Sequence, residues 1–564
     1  MHAFSRLLLI LFALLCFSLC AQAEPTQKSG TGVITGRIMV ADKPAPGVVV
    51  IAAPAEPGPN RKEAGRATTD YEGNYRLIAL PAGRYNIMPL APTLVSLSEG
   101  MYGGVGRFVL LGEGETVEKI DFSLARAGVI TGRITDADGK PVIEERVQLN
   151  AADNSSSPPY GRYSNPFMYQ TDDRGVYRLY GIPPGRYTLS VGISQDEGMV
   201  RVGAVRRGYY QRTFYPGETD VKKAAIIEVT EGSEVKDVDI KLGRPAQSFS
   251  VAGRVVDAET GQPVPNQIIG YGTYDAQRRQ MNGFGYGDTR SDARGEFRLE
   301  GVVPGRFAAF VWSENNVYTD PVLFEVTEGD VTGLELKLKR GASISGTVQL
   351  EGPADKNVLA RLTRLTLFTV VQTKNLSPPE NRQTSINADG SFRLTGLPPG
   401  RVFIHLAGSQ TTKDFRLLRV ERDGAPQPSG IDVAPGAEIT NVRLVFEYGS
   451  GTIRGQVRFE NGALPEGSRI FVTAERPGAG DGGAQPVTVQ ARPLAYSQAD
   501  ARGRFILEGL SAGDYQVVVR AQFPLSNGGG KLVTGKQSVT ISNGMETEIT
   551  VTLDLADKGP GVQE

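Results

Sequence analysis

Gly509-Leu510-Ser511-Ala512-Gly513 has the Gly-x-Ser-x-Gly spacing of a nucleophile elbow. That chemistry needs a strand-to-helix turn at the top of a parallel sheet, where a strained backbone exposes the serine. Around Ser511 the pattern is strand, turn, strand, so the serine reads as a turn residue. Asp136-Ala137-Asp138-Gly139 and Asp172-Asp173 offer carboxylates in the manner of a calcium loop. Calcium takes roughly six to eight oxygens, and an EF-hand loop closes with a bidentate Glu at its twelfth position. Counted from Asp136 that position is Val147, so these residues also read as turns and no metal site is expected. After residue 23 the chain has a single histidine, His405, and no cysteine, because Cys16 and Cys20 both come earlier. Zinc sites built on two or more His or Cys, disulfides and thiol chemistry are thereby excluded. No cofactor-binding pattern is found, and no catalytic residue is assigned.

Two further sets of side chains could bind rather than react. Arginines recur at Arg76/Arg84, Arg178/Arg186, Arg298/Arg306 and Arg393/Arg401, out of phase with neighbouring apolar residues and so facing outward. With 61 Lys+Arg against 62 Asp+Glu, they form a solvated face rather than a polyanion stripe, and nucleic acid is not an expected partner. Aromatic residues gather at Tyr160, Tyr163, Phe167 and Tyr169, at Tyr209, Tyr210, Phe214 and Tyr215, and at Phe284 and Tyr286, with Trp312 nearby in sequence. Exposed aromatics can stack on sugar rings, whereas loop aromatics between tightly joined modules pack against protein.

The elements that hold these residues are set by one stretch that occurs five times. Asp or Asn is followed three residues later by Gly: Asp70/Gly73, Asp172/Gly175, Asp292/Gly295, Asn387/Gly390 and Asp500/Gly503. A second Gly follows ten residues on, at Gly83, Gly185, Gly305, Gly400 and Gly513. The first pair suits a type I turn, and the second Gly a reversal between two strands. Between them an aromatic and a Leu are spaced by two, as in Tyr177/Leu179 and Phe505/Leu507, which puts both on one sheet face. Each copy is preceded by an opening strand broken by Gly36, Gly132, Gly253, Gly346 or Gly455, where a close backbone approach is expected. Each closes with an alternating hairpin such as 226–242, whose last strand runs almost directly into the next opening strand.

Periods near 100 residues are too long for solenoid units but suit about seven short strands each. The expected fold is all-β: five tandem seven-stranded Ig-like sandwiches in an extended array, at 32–126, 127–245, 246–340, 341–448 and 449–556. No helical period is found outside the N-terminal segment. Residues 1–23 read as a secretory signal peptide, with Arg6, an apolar run from Leu7 to Leu19 and the small-x-small triplet Ala21-Gln22-Ala23. Residues 24–31 read as a linker and 557–564 as a polar tail, and no later segment is apolar enough to span a bilayer.

Thr-Gly-Arg-Ile, then Thr-Asp-x-x-Gly-x-Tyr-x-Leu, then Ile-Pro-Pro-Gly-x-Tyr-x-Leu, as found from Thr131 to Leu189, resembles the carboxypeptidase regulatory-like domain. The resemblance covers nearly all of the chain after the signal and weakens in the fifth copy, where Ser511-Ala512 replaces Pro-Pro. It implies transthyretin-like sandwiches, accessory modules of bacterial envelope or secreted proteins, related in shape to starch-binding and collagen-adhesin modules; it implies no peptidase activity. Some collagen-adhesin modules carry a Lys–Asn isopeptide bond between first and last strands. Here the opening strands carry Arg37, Arg133 and Arg254, which stay protonated, so no such cross-link is expected.

The function expected from these readings is that of an exported, non-catalytic structural or adhesion protein acting in the periplasm, at the cell surface or outside the cell. Its partner would be an envelope or extracellular protein. The alternative is a glycan-binding protein using Tyr209, Tyr210, Phe214, Tyr215, Phe284 and Tyr286. Reversing connections between seven strands would also bring the Tyr209–Tyr215 loop toward Phe284, Tyr286, Arg278 and Arg279.

Overall fold

A computed structural model describes residues 32–55, 62–96, 106–152, 169–193, 208–312, 316–351, 356–373, 382–407, 414–464, 468–477, 495–523 and 532–556. The signal, linker and tail readings lie outside these residues. The chain divides into two compact units, Met1–Leu90 with Gly106–Phe122, and Ala91–Val105 with Ser123–Glu564.

In the first unit the opening strand Gly32–Val40 pairs antiparallel with Asn74–Leu80 and parallel with Thr116–Val117. A second sheet runs in the order Gly65–Thr68, Val49–Pro54, Gly83–Leu90, Arg107–Leu111. Ile34, Leu77, Ile87 and Val109 are buried between the two sheets.

The second unit repeats this plan. Its opening strands Gly128–Thr135, Phe249–Asp257, Ala342–Glu351 and Gly451–Glu460 each pair antiparallel with the strand after the Asp/Asn-Gly turn. Each also pairs parallel with the last strand of its own repeat. Parallel pairing of first and last strands follows from an even number of reversals between them. It leaves the last strand ending where the next opening strand begins. The facing sheet is built the same way each time, for example Ala495–Gln498, Arg469–Glu475, Gly513–Gln522 and Leu532–Ile541. Apolar side chains alternate inward from both sheets, so each pair of sheets closes over its own core.

The all-β class holds, with variation in strand number. Among the described residues seven strands occur between Gly451 and Asp554. Between Phe249 and Arg340 there is an additional short strand, Val317–Tyr318. The 342–448 region adds Ala425–Pro426 and, against expectation, a helix at Lys356–Leu362. That helix docks Val358 and Leu362, one turn apart, into the core. Only two of its four apolar residues face inward, and Leu359 is exposed, so no 3.6-residue period stands out over these seven positions.

Candidate functional site

The repeated stretch is a hairpin whose turn is held by its acid. The N–H of Gly175 donates to the Asp172 carbonyl at 3.0 Å, and Asp172 Oδ1 accepts from the N–H groups of Arg174 and Val176 at 2.9 and 2.7 Å. Asp70, Asp292 and Asp500 repeat both side-chain bonds. In the fourth copy the role passes to a neighbour: Asn387 Nδ2 reaches Ser391 Oγ, while Asp389 Oδ1 accepts the Ser391 N–H. Gly73, Gly175, Gly295, Gly390 and Gly503 all have φ between 73° and 81°, a left-handed conformation that glycine adopts without strain. These bonds stabilise the ionised acid. The Val176 N–H foremost, with the Arg174 side chain and N–H, holds the Asp172 carboxyl below its ordinary value.

The residue before the acid carries a role that the sequence reading missed. Thr171 Oγ1 donates to the Val142 carbonyl and accepts from the Glu145 N–H, tying the hairpin to the loop after the opening strand. Thr69 and Ser291 do the same in their copies. Ile386 and Ala499 stand there in the last two copies, and both are buried. The signal was present as Thr, Thr, Ser at one position of three copies.

The second-turn glycines differ among themselves. Gly305, Gly400 and Gly513 have φ of 155°, 153° and 142°. Gly83 and Gly185 are not among the positive-φ residues. A tyrosine also fastens the turn: the Tyr187 hydroxyl donates to the Pro183 carbonyl at 2.7 Å, and Tyr85 with Pro81 and Tyr515 with Ser511 match it, so the bond occurs with either kind of glycine.

Four of the five opening-strand glycines mark the close backbone approach expected of them; at Gly455 a Cβ would instead meet the Phe505 ring, 2.2 Å away. A Cβ on Gly36, Gly132, Gly253 or Gly346 would lie 2.0, 2.0, 2.3 or 1.7 Å from the carbonyl oxygen of Ile120, Val238, Leu334 or Val442. Tyr75 and Tyr177 donate their hydroxyls to two of these carbonyls, those of Ile120 and Val238.

Ser511 occupies a strand-to-strand turn, between Arg504–Leu510 and Gly513–Gln522. Its hydroxyl donates to Glu447 Oε2 at 3.0 Å and accepts from Arg476 at 3.1 Å. Glu447 also faces Arg416 at 3.3 Å and Arg476 at 3.0 Å, and its side chain is only 13% exposed. This cluster joins the fourth and fifth repeats. His405 stacks on Phe368 with ring centroids 4.9 Å apart. Asp136 accepts from the Asp138 and Lys140 N–H groups. Among the described residues no three His, Cys, Asp or Glu side chains converge as metal ligands. Outward arginines sit beside acids: Arg306 with Glu325 at 3.4 Å and Arg401 with Asp432 at 3.0 Å on adjoining strands, and Arg178 with Glu234 across the intervening opening strand.

The aromatic candidates that lie among the described residues are placed on several elements. Tyr160, Tyr163 and Phe167 lie outside the described residues, and Tyr169 is buried in the core. Tyr210 and Tyr215 are half-buried against that same core. Phe214 pairs with Ser190 through the main chain. Tyr209 lies in a two-residue strand, Gly208–Tyr209, paired with Ala246–Gln247 on the way into the third repeat. Tyr210, Pro141, Ile143 and Pro245 line a shallow groove beside it. Phe284 and Tyr286 are not in a loop as expected: they belong to the strand Gln280–Arg290, paired with Ile268–Asp275. The glycines of Gly283-Phe-Gly-Tyr-Gly287 suggested a loop, whereas the period-two aromatics signalled a strand. Arg278 stays on this hairpin's own turn, 3.9 Å from Asp275.

The Gly208–Tyr209 pairing recurs at the later joints. Val317–Tyr318 pairs with Lys339–Arg340, and Phe415–Arg422 with Val442–Tyr448. In the third and fourth repeats the segment following the fifth strand grips the last strand just before it enters the next repeat; in the second it grips Ala246–Gln247, just beyond the last strand Ile240–Lys241. The Gly341 N–H then donates to the Asn316 carbonyl at 3.0 Å, and the Gly449 N–H to the Asp414 carbonyl at 2.9 Å. Arg382 of the fourth repeat reaches back to the Val317 carbonyl at 2.9 Å, and Asn316 Oδ1 accepts the Gly396 N–H at 2.8 Å.

No family model matches the chain, and no curated protein matches it. Among solved structures it is similar to a streptococcal ancillary pilin, at 12% identity and TM-score 0.22 over 54% of this chain and 98% of that one. It is similar to the Bacillus anthracis TIE protein, at 13% identity and TM-score 0.15 over 72% of this chain and 69% of that one. A third is BcpA, the major pilin subunit of Bacillus cereus, at 12% identity and TM-score 0.15 over 55% and 99%. The resemblance to the carboxypeptidase regulatory-like domain rests on the turn motifs alone. Among the described residues no helix is long and apolar enough to cross a membrane.

Proposed function

We propose that the chain is a non-catalytic, exported structural or adhesion protein of a bacterial envelope. Its working parts would be five sandwich domains of the carboxypeptidase regulatory-like type, at 32–126, 127–245, 246–340, 341–448 and 449–556. The observation that carries this reading is the grip on the chain as it leaves the second, third and fourth repeats, reinforced by Arg382 and Asn316 at one joint and Glu447 at the next. Side chains invested in holding neighbouring sandwiches together suit a protein whose task is to present or connect surfaces. The turn acids and outward arginines are used within the fold. Its partner is an envelope or extracellular protein. Cross-linking in intact cells followed by fractionation tests this: the protein should be recovered outside the cytoplasm, attached to a defined partner. Recovery wholly in the cytoplasm would sink the reading.

The second reading, glycan binding, draws on Tyr210 in the groove beside Tyr209 and Pro245. A glycan array probed with the full mature chain separates the two. A hit abolished by Tyr209→Ala or Tyr215→Ala favours the glycan, and an empty array favours the protein partner.

A further inference from the structure

Among the described residues, one repeat pairs less of a strand edge than its siblings do. In every repeat the strand after the second turn needs a partner on its outer side. Gly83–Ile87 pairs there with Arg107–Leu111, Gly305–Ala309 with Val322–Val326, and Gly513–Gln522 with Leu532–Ile541. The second repeat shares the task between Ile227–Val229 and Thr213–Phe214. In the fourth repeat, among the described residues, the ladder on this side covers only Gly400–Val402, against Ile431–Val433. The next segment, Phe415–Arg422, has joined the opposite sheet. Within it the register skips between Leu417 and Arg419, so Leu418 is an extra residue without a ladder partner. Bulges of this kind redirect a side chain out of the pairing pattern.

Along the seam between the two sheets at this edge lies a cavity of about 100 Å³, lined by Val402, Ile404, Leu417, Leu418, Val420 and Ile431 and roofed by the Pro426–Pro428 segment. The charged groups at its margin are already matched. Arg416 faces Glu447 at 3.3 Å, and Arg419 faces Glu421 at 2.7 Å. An anionic ligand would have to displace those carboxylates, whereas an apolar one meets mainly the aliphatic side chains of the lining, with Phe403, Gln427 and the two arginines at the rim. Apolar cavities of this order stay dry and accept benzene-sized guests.

We propose that this seam is a binding site for a small uncharged apolar molecule, up to the size of one aromatic ring. The site uses residues of Phe415–Arg422, the segment that also grips the exit strand of the fourth repeat. The test is a titration of the full mature chain with toluene, followed by methyl NMR of labelled Ile, Leu and Val. Saturable shifts are expected at Val402, Ile404, Leu417 and Leu418, with none at Val517 and Val519 in the closed core of the fifth repeat. Leu418→Phe fills the cavity and should reduce binding at least tenfold while the rest of the spectrum is retained. Should that variant not fold, Val420→Ala serves instead: the enlarged cavity should take naphthalene, which the unaltered protein refuses. The proposal is overturned by absence of saturation up to the solubility of toluene, or by equal shifts in both repeats. It is equally overturned by undiminished binding in folded Leu418→Phe, or by no change in guest size with Val420→Ala.

Discussion

The Tyr177 hydroxyl donates to the Val238 carbonyl at 2.6 Å, reaching past Gly132 of the opening strand that lies between them. That carbonyl is also the one that a Cβ on Gly132 would strike at 2.0 Å. Glycine lets the last strand come close, and the tyrosine then satisfies the carbonyl oxygen that the approach buries. Tyr177→Phe should therefore cost the second repeat about 1 kcal/mol, the loss of one buried hydrogen bond. Gly132→Ala should cost more than about 3 kcal/mol, because a backbone must move to admit the methyl. Urea unfolding of the variants checks both, and equal effects would break the link between them.

The two kinds of second turn should respond differently to substitution. Gly400 has φ of 153°, and a Cβ there would lie 2.5 Å from the Gln372 carbonyl oxygen. Gly185 would place its Cβ 3.1 Å from the Tyr187 hydroxyl, a group able to shift. Gly400→Ala should destabilise its repeat by about 1–3 kcal/mol, and Gly185→Ala clearly less. Calorimetric scans of the two variants would reveal a reversed order.

Alkali should unfold the protein through its tyrosines. Burial pushes Tyr187 and Tyr271 up to about 12, and it raises Tyr75 and Tyr177 further. A phenol raised above its unfolded value of about 10 stabilises the fold fully below that pH. The contribution is lost as pH climbs from the unfolded toward the folded value. Melting temperature should hold steady to about pH 9 and fall beyond about pH 10. Tyr187→Phe should flatten that fall.

Acid should act on the turns with the opposite sign. Backbone N–H groups hold the Asp70 and Asp172 carboxyls below the ordinary value, through the Asn74 and Val176 N–H groups foremost. Their stabilisation is present above about pH 4 and disappears as pH falls through the depressed folded value. Asp172→Asn should lower the neutral-pH melting temperature of the second repeat and reduce its acid sensitivity. A pH series of thermal melts on both proteins would show it.

At the joint between the fourth and fifth repeats, Glu447 holds Arg416, Arg476 and Ser511 together. Both arginines are more than a third exposed, so solvent screening reduces the cost of losing the acid to about 1–2 kcal/mol. Glu447→Gln should split the shared unfolding of these two repeats into separate transitions in calorimetry. A single unchanged transition would remove Glu447 from the account of the joint.

By itself the sequence determined the repeating hairpin, the all-β class and the inward set of each strand. Those depend on local rules: Asp-x-x-Gly makes one turn, and Tyr177/Leu179 at a spacing of two defines one face. It also marked Gly132 as a place of close approach, because a glycine inside a strand needs a reason. What approaches Gly132 is a carbonyl 106 residues later in the chain, and only the folded pairing of first and last strands could reveal it. The destinations of Tyr209, Phe284 and Leu418 were likewise beyond local rules. Each depends on which strand edge is left unpaired after the sheets have formed, a competition among distant segments that no short window of sequence records.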